Sequence, residues 1–461
     1  MEKKVIGILV CTLLIAGTVL PATGMNTTTE EKNDFDFFKN DVIIPPDIKN
    51  AGKNRGPEPG YYDTSEFLMG TIALGVIFLE SDGSIDPNTE NWTEIEKDYA
   101  MGGLGVAGGH LKWYNWYSAL GYTTPSFFTY GETHTVEISY EPITHPSAIT
   151  DDSWEKLYIA EAMGKLGYTS GDWMQRVRDY INHLRDTIET LPGQYGTDWA
   201  FAVFLIDNSN DADGLFSDGY HAYAYLGGPF TVCPHLVPGG PPGPVLFQVF
   251  AHEMGHIFYA TDEYNGQTDY SGYLNAADVE GSYCIMDNLN LCVSSGTQLQ
   301  VGWKDSDGDK FPDVLDTYPE TSLVPHFPDP TGEKTITYTG SATVQPLTNN
   351  NPNGPGNDIT MNYVASVQYR VDGGAWQWAD PADGDYDEGV EDYTFTVTLT
   401  SGTHTIETVS HNSIGNVDPT PAQDTITVPR SKAFNTPFSN FLELHPNLFS
   451  IIRLLIQRLG L

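Results

Sequence analysis

The sequence predicts an α/β domain followed by an all-β sandwich. Three observations predict it. Between Tyr61 and Trp303, apolar runs of strand length alternate with segments of helical period. From Glu333 to about residue 429, apolar and polar residues alternate between clusters of Gly, Asp, Asn and Pro. Between these stretches lies an acidic loop with regular aspartate spacing.

The chain has 461 residues, enough for two or three domains of about 150 residues each. Its net charge is −39, from 61 acidic and 22 basic residues. Nucleic-acid binding needs a basic footprint, so no nucleic-acid partner is expected. The charge suits a soluble, salt-tolerant surface that attracts cations.

Lys3 and Lys4 precede an apolar run from Val5 to Leu20, and Ala22 to Gly24 supply small residues. Residues 1–24 therefore read as a signal peptide of a secreted or extracellular protein, the alternative being an uncleaved anchor. Residues 25–60 are polar and broken by "IIPPD" and "RGPEPG", as in a linker or a short pro-segment.

Residues 61–303 form the α/β domain. "FLMGTIALGVIFLES" reads as a buried strand, and the stretch from Asp86 to Leu120 as one long helix with internal Gly. "HTVEISYEPI" alternates like a strand. "DDSWEKLYIAEAMGKLGY" and "DWMQRVRDYINHLRDTIETL" are amphipathic helices with Asp or Ser near their starts. "DWAFAVFLID" and "YHAYAYLGGPFTV" read as strands, the latter either an ordinary strand or a sheet edge able to pair with an extended peptide. The loop Asp207 to Gly219 is rich in Asp and Asn, as in a solvated turn, the alternative being a loop that holds a cation.

"GPVLFQVFAHEMGH" then has helical spacing, with Pro244 suited to a first turn. His252 and His256 stand at i and i+4, so both rings leave one helix face and can share a tetrahedral zinc. Glu253 lies beside them, placed to take a proton from a water that zinc acidifies. This is the H-E-x-x-H pattern of zinc hydrolases; the bland alternative is a His pair on a solvated helix face. Asp262 and Glu263 are each able to supply a third ligand. Cys284 and Cys292 are close enough to close a short loop, leaving Cys233 unpaired.

Residues 304–332 read as a joint. Asp305, Asp307, Asp309, Asp313 and Asp316 occupy positions 1, 3, 5, 9 and 12 of an EF-hand-like calcium loop, with the Phe311 carbonyl at position 7. Lys310 stands at position 6, normally Gly, and the last ligand is Asp rather than Glu. The alternative is an acidic linker. Residues 333–429 form the sandwich, with "TSGTHT" fitting a tight turn and no catalytic constellation. Residues 430–461 form a tail whose apolar run, Leu448 to Leu461 with Arg453 and Arg458, suits an amphipathic helix for cell-surface attachment or one packed on the sandwich.

The run "HEMGHIFYATDEY" is similar to the helix of metzincin metalloproteases, H-E-x-x-H-x-x-G-x-x-H/D, and most to the immune-inhibitor-A-like secreted peptidases, where it ends in D-E-Y. The resemblance implies a metzincin-like catalytic domain with a mixed sheet. His252 and His256 then match zinc ligands, Glu253 the general base and Asp262 the third ligand. Met286 in "CIM" matches the Met-turn beneath the metal. One departure is Tyr259, where the family has a Gly that turns the chain after the second His; Tyr tolerates a left-handed backbone poorly. The aspartate spacing resembles thrombospondin type 3 calcium repeats. "VQYRVDGGAW" and "GTHTIETVSHNSIGNVD" resemble immunoglobulin-like modules of secreted proteins.

The expectation is a secreted zinc endopeptidase acting on protein or peptide substrates, with zinc and calcium as cofactors. The competing classes are a cell-surface binding protein carrying an inactive peptidase-like domain, and another zinc hydrolase such as a deacylase.

Overall fold

The structure, a computed structural model, describes residues 41–430 and residue 458, except 49–50, 53–55, 88, 90, 105–108, 124–126, 237–244, 265 and 267. The signal-peptide reading (1–24) lies outside the described residues, as does nearly all of the tail (430–461). Among the described residues, no helix is long and apolar enough to cross a membrane. The chain is mixed α/β and forms two compact units. The first runs to Thr317 and takes in Gln345–Asn362; the second comprises Tyr318–Val344 and the chain from Tyr363.

The first unit begins with β1 (Val42–Ile43) and β2 (Thr71–Ser81), followed by α1 (Glu94–Leu104), α2 (Gly109–Leu120) and β3 (Phe128–Ile138). Next come α3 (Asp152–Lys165) and α4 (Trp173–Thr187), whose first turns are capped by the side chains of Asp151 and Asp172. A small hairpin, β4 (Glu189–Leu191) and β5 (Gln194–Tyr195), leads to β6 (Trp199–Ile206), β7 (Tyr223–Tyr225) and β8 (Phe230–Pro234). The unit continues with α5 (Val245–Ile257), the short pair β9 (Tyr270–Ser271) and β10 (Ala276–Ala277), then α6 (Ile285–Asn288) and α7 (Ser295–Gln300).

Its main sheet has the order β1-β7-β8-β6-β2-β3. β2 is parallel to β3 and β6, β6 is parallel to β8, and β7 alone runs antiparallel to its neighbour β8. The continuous apolar runs of β2 and β6 follow from this central position, because helices cover both faces. Alternate side chains serve opposite faces. Ile72, Val76 and Phe78 join Trp113 of α2 and Phe250 and Met254 of α5 on one face. Ala73, Ile77 and Leu79 join Ile159 of α3 and Val177 and Ile181 of α4 on the other.

The structure differs from expectation at several places. In the stretch expected to hold one long helix, the described helical residues are Glu94–Leu104 and Gly109–Leu120. "YHAYAYLGGPFTV" is not one strand but β7 and β8, reversed through Gly227 and Gly228, both with positive φ. Nor is β7 the sheet edge, because β1 pairs with it. Part of the presumed linker 25–60 is therefore a sheet strand. Residues 304–332 are not a separate joint: the aspartate loop belongs to the first unit, and β11 (Pro319–Leu323) already belongs to the second.

The second unit continues with β12 (Thr335–Val344), β13 (Val364–Val371), β14 (Gln377–Trp378), β15 (Asp380–Pro381), β16 (Val390–Thr398), β17 (Gly402–Asn412) and β18 (Ala422–Val428). Two four-stranded antiparallel sheets, β11-β12-β16-β15 and β14-β13-β17-β18, share one core that includes Tyr338, Val367, Phe395 and Ile406. The strict alternation of β12 and β16 reflects one buried and one wet face. Residues 345–362, expected in the sandwich, leave it and pack with the first unit.

Candidate metal centre

Helix α5 buries Val249, Phe250, Met254 and Ile257 in the core of the first unit. Pro244, expected in its first turn, lies outside the described residues. His252, Glu253 and His256 are buried with it, so the His pair does not sit on a solvated face. The two rings are fixed from behind. His252 Nδ1 donates to the Ile285 carbonyl at 2.8 Å, and His256 Nδ1 to the Ala260 carbonyl at 2.7 Å. In the neutral ring, with its proton on Nδ1, each Nε2 would carry a lone pair, and the two Nε2 atoms lie 3.0 Å apart.

The helix stops at Tyr259. Its φ of 68° is left-handed, as a glycine there would be. The Ala260 amide donates to the Gly255 carbonyl and the Tyr259 amide to the His256 carbonyl, which is the Schellman cap. The sharp turn expected of Gly is thus made by Tyr. Left-handed geometry costs a non-glycine residue roughly 1–2 kcal/mol. Burial of a large aromatic is worth about 3–5 kcal/mol on truncation, so the packed ring outweighs the strain. The Tyr259 ring is buried, and its hydroxyl lies 3.4 Å from the Glu66 carboxylate.

This turn returns Asp262 to the histidines. One of its oxygens lies 3.2 Å from His252 Nε2 and 3.4 Å from His256 Nε2. Neither oxygen accepts a well-formed hydrogen bond, although both are buried. Glu263 turns elsewhere: it accepts from Ser294 Oγ, and from Thr297 Oγ1 at 2.9 Å. Met286 packs its sulfur against Gly255, where an added Cβ would lie 2.6 Å away. The Cys284–Cys292 disulfide closes the loop carrying Ile285 and Met286, and Cys233 is free and buried. Tyr264 lies near the site, its ring parallel to that of His252 with centroids 6.3 Å apart.

The fourth member of the group was not legible in the sequence. Asp41 Oδ1 lies 3.2 Å from His256 Nε2 and 3.5 Å from His252 Nε2. One ligand atom each from Asp41, His252, His256 and Asp262 all lie within 4.8 Å of one another, and all four residues are buried. The gathered residues could hold a metal ion. Two facing imidazole lone pairs and two buried carboxylates, with no lysine or arginine among them, form a donor set suited to a cation.

The electrostatics point the same way. Burial disfavours a charged His252, but the charges of Asp41 and Asp262 outweigh it and hold the ring well above the usual imidazole range. For His256, burial is likewise outweighed, chiefly by Asp262, and its pKa rises to about 10. Burial also raises Asp41, but the two histidines overcome it and bring the carboxyl well below the usual range. Burial, helped by the Asp41 charge, pushes Glu253 well up, and its Oε2 has no hydrogen-bond partner.

The aspartate loop is gathered only in part. Asp305, Asp307 and Asp309 converge, and Lys310 makes the turn with a φ of 79°. Asp313 and Asp316 stand outside that group. Asp313 instead accepts from Ser306 N at 2.7 Å and Oγ at 2.6 Å, and pairs with Lys304. The five-aspartate calcium set is therefore reduced to three carboxylates, one half-buried and two exposed, each of which accepts an amide within its own loop.

No family profile matches the chain, and no curated protein does. Solved structures similar to parts of it include the fibronectin(III)-like modules of Clostridium thermocellum CbhA, at 15% identity over 26% of this chain and 50% of that one, with a TM-score of 0.17. Others are the sulfane dehydrogenase SoxCD of Paracoccus pantotrophus (12% identity, 24% and 33% coverage, TM-score 0.17) and the ApaA protein of Bordetella pertussis (15% identity, 26% and 99% coverage, TM-score 0.18). The chain thus spans half of the first of these and a third of the second. At such scores the likenesses carry no argument, and none supports a metzincin.

Proposed function

We propose that the protein is a secreted zinc-dependent endopeptidase of metzincin type whose metal is held by His252, His256 and Asp262. One observation carries the reading: two buried imidazoles with Nδ1 atoms tied to backbone carbonyls present their Nε2 atoms to a buried carboxylate, with a buried glutamate next in sequence. Carbonyl-tied Nδ1 atoms are the usual support of metal-binding histidines. A zinc ion held there would supply Lewis acidity to a peptide carbonyl and to a water molecule. Glu253 is the residue that would accept a proton and return it to the leaving amine. Met286 supports the helix between the two histidines, and the backbone of β7 is the strand against which an extended peptide would lie.

The second unit supports the same reading as an appended module. Labelled A to G in chain order with β14 as C′, its sheets are ABED and C′CFG, an immunoglobulin-type arrangement. Elemental analysis of purified protein, with a peptide-cleavage assay before and after chelation, tests the proposal. One zinc per chain and chelator-sensitive cleavage are expected. Zinc without cleavage of any peptide would favour an inactive peptidase-like binding protein.

A further inference from the structure

Strands β2, β6 and β8 run in one direction, so their carboxyl ends, at Ser81, Ile206 and Pro234, lie at one end of the sheet. In an open α/β sheet the crevice outside such ends is the usual place for a ligand. The register of β6 on β8 pairs Ile206 with Pro234, and the two chains stay in step beyond it. The His235 amide donates to the Ile206 carbonyl at 3.0 Å. Asn208 holds Leu236 at its side, accepting the Leu236 amide at 2.8 Å and donating to the Leu236 carbonyl at 2.8 Å. Asp207 and His235 are therefore neighbours on adjacent strand ends.

Both residues are 2 % exposed, and neither side chain is satisfied. Among the described residues, neither ring nitrogen of His235 has a hydrogen-bond partner, and Asp207 Oδ2 has none. Asp207 Oδ1 accepts from the Ser209 amide at 3.0 Å. His235 Nδ1 stands 3.6 Å from Asp207 Oδ1, too far for a hydrogen bond. Two ligand atoms on one tetrahedral zinc, each about 2.0–2.2 Å from it, stand about 3.3–3.6 Å apart. The spacing is that of ligands, and it is close to the 3.4 Å between His256 Nε2 and Asp262 in the first group.

A ring walls one side. Trp92 Nε1 donates to the Leu79 carbonyl at 2.9 Å, and its ring lies against that of His235 with centroids 4.6 Å apart. Glu96, in the first turn of α1, is half-buried, and its charge acts on the His235 ring together with that of Asp207. Burial outweighs both and holds the ring below the usual imidazole range, so at neutral pH one ring nitrogen carries a lone pair. The other aspartates of the loop Asp207 to Gly219 are engaged elsewhere. Asp211 and Asp213 accept amides of their own loop, and Asp218 accepts from Ser147 and Thr150.

We propose that His235 and Asp207, with Glu96 as third ligand, form a second metal site, for a first-row divalent ion such as zinc, which shares no residue with the His252 group and clamps the ends of β6 and β8 to the start of α1. An imidazole beside carboxylates favours such an ion over calcium and magnesium, which take oxygen ligands. An ion held only by the folded chain adds stability by mass action.

The test uses the full chain, stripped of metal and dialysed against zinc in excess calcium, so that sites made of oxygen alone do not count. Two zinc ions per chain are expected. His235→Gln and Asp207→Asn should each bind one, and the paired His252→Ala, His256→Ala chain should also bind one. Cobalt(II) added to that paired variant should quench tryptophan fluorescence, and Trp92→Phe should remove most of the quenching. In the same background His235→Gln should weaken cobalt at least about tenfold, as loss of a group that supports a metal does. A wild-type chain that binds a single zinc, lost with His252 and His256, would overturn the second site whether or not the other variants fold. A second zinc retained by both His235→Gln and Asp207→Asn would overturn it as well, because the ion would then lie elsewhere. A single zinc that needs His235 and ignores His252 and His256 would overturn the first centre and leave the second standing.

Discussion

The ring of Tyr259 occupies the space that a side chain on Gly227 would need. A Cβ built on Gly227 would lie 2.2 Å from Tyr259 Cζ, and Gly227 also has a positive φ of 78°. The Gly227 amide donates to the His256 carbonyl at 3.0 Å, tying the β7–β8 turn to the end of the metal-site helix. Gly227→Ala should therefore destabilise the first unit by roughly 2–5 kcal/mol, combining overpacking with backbone strain. Tyr259→Gly should relieve strain yet still destabilise by about 2–4 kcal/mol, because the buried ring is lost. Chemical denaturation checks both; a Tyr259→Gly protein more stable than wild type would contradict this weighing.

Glu253 has a different prediction from its neighbours. Glu253→Gln should bind metal as wild type does and melt at a similar temperature, since neither its backbone nor the ligand set changes. Cleavage of a peptide should fall by about 10²–10⁴-fold, the usual worth of general acid–base catalysis. Near wild-type turnover would remove Glu253 from the reaction.

Asp262 and Glu263 should separate cleanly. Asp262→Ala should weaken zinc by orders of magnitude while leaving the folded apo-protein largely intact, because its oxygens accept no well-formed hydrogen bond. Glu263→Ala should instead destabilise the fold by about 2–4 kcal/mol, since it strips the buried Ser294 and Thr297 hydroxyls of their acceptor. Zinc titration and apo-protein melting, run side by side, give the comparison. The reverse pattern would exchange the two roles.

Stability should depend on pH through Glu155. Burial raises this carboxyl from 4.5 to about 8, while the Tyr225 hydroxyl donates to it at 2.7 Å and partly opposes the rise. Below pH 4.5 both folded and unfolded chains hold the proton, and this stabilisation is fully present. Between pH 4.5 and 8 only the folded chain holds it, so stability declines as pH rises, by roughly 3–5 kcal/mol in all. Above pH 8 the contribution is spent. Urea denaturation at pH 5 and pH 8 should show a smaller decline in Glu155→Gln than in wild type; equal declines would refute the assignment.

Loss of the Cys284–Cys292 bridge should reach the metal. The bridge closes a loop of sequence separation 8, and that loop carries the carbonyl that orients His252. Paired Cys284→Ser and Cys292→Ser substitutions should cost about 2–3 kcal/mol of stability and weaken zinc about tenfold. Unchanged zinc affinity with lowered stability would show that the loop holds its shape without the bond.

Local order decided how much could be read from residues alone. The helical spacing of His252 and His256, the adjacency of Glu253 and the alternation in β12 and β16 are consequences of backbone periodicity, which acts over a few residues and leaves its mark in the sequence. The aspartate spacing from Asp305 to Asp316 was equally regular, yet only three carboxylates converge, because Ser306 and Lys304 compete for Asp313. What tertiary structure alone decided lies beyond local range. Tyr259 turns left-handed because Gly227 leaves it room, and Glu263 faces away because Ser294 and Thr297 arrive from a distant turn. Asp41 meets His256 because a two-residue strand joins the edge of a sheet. That pairing is made by backbone amides and carbonyls, which every residue except proline carries, so no side-chain pattern announces it.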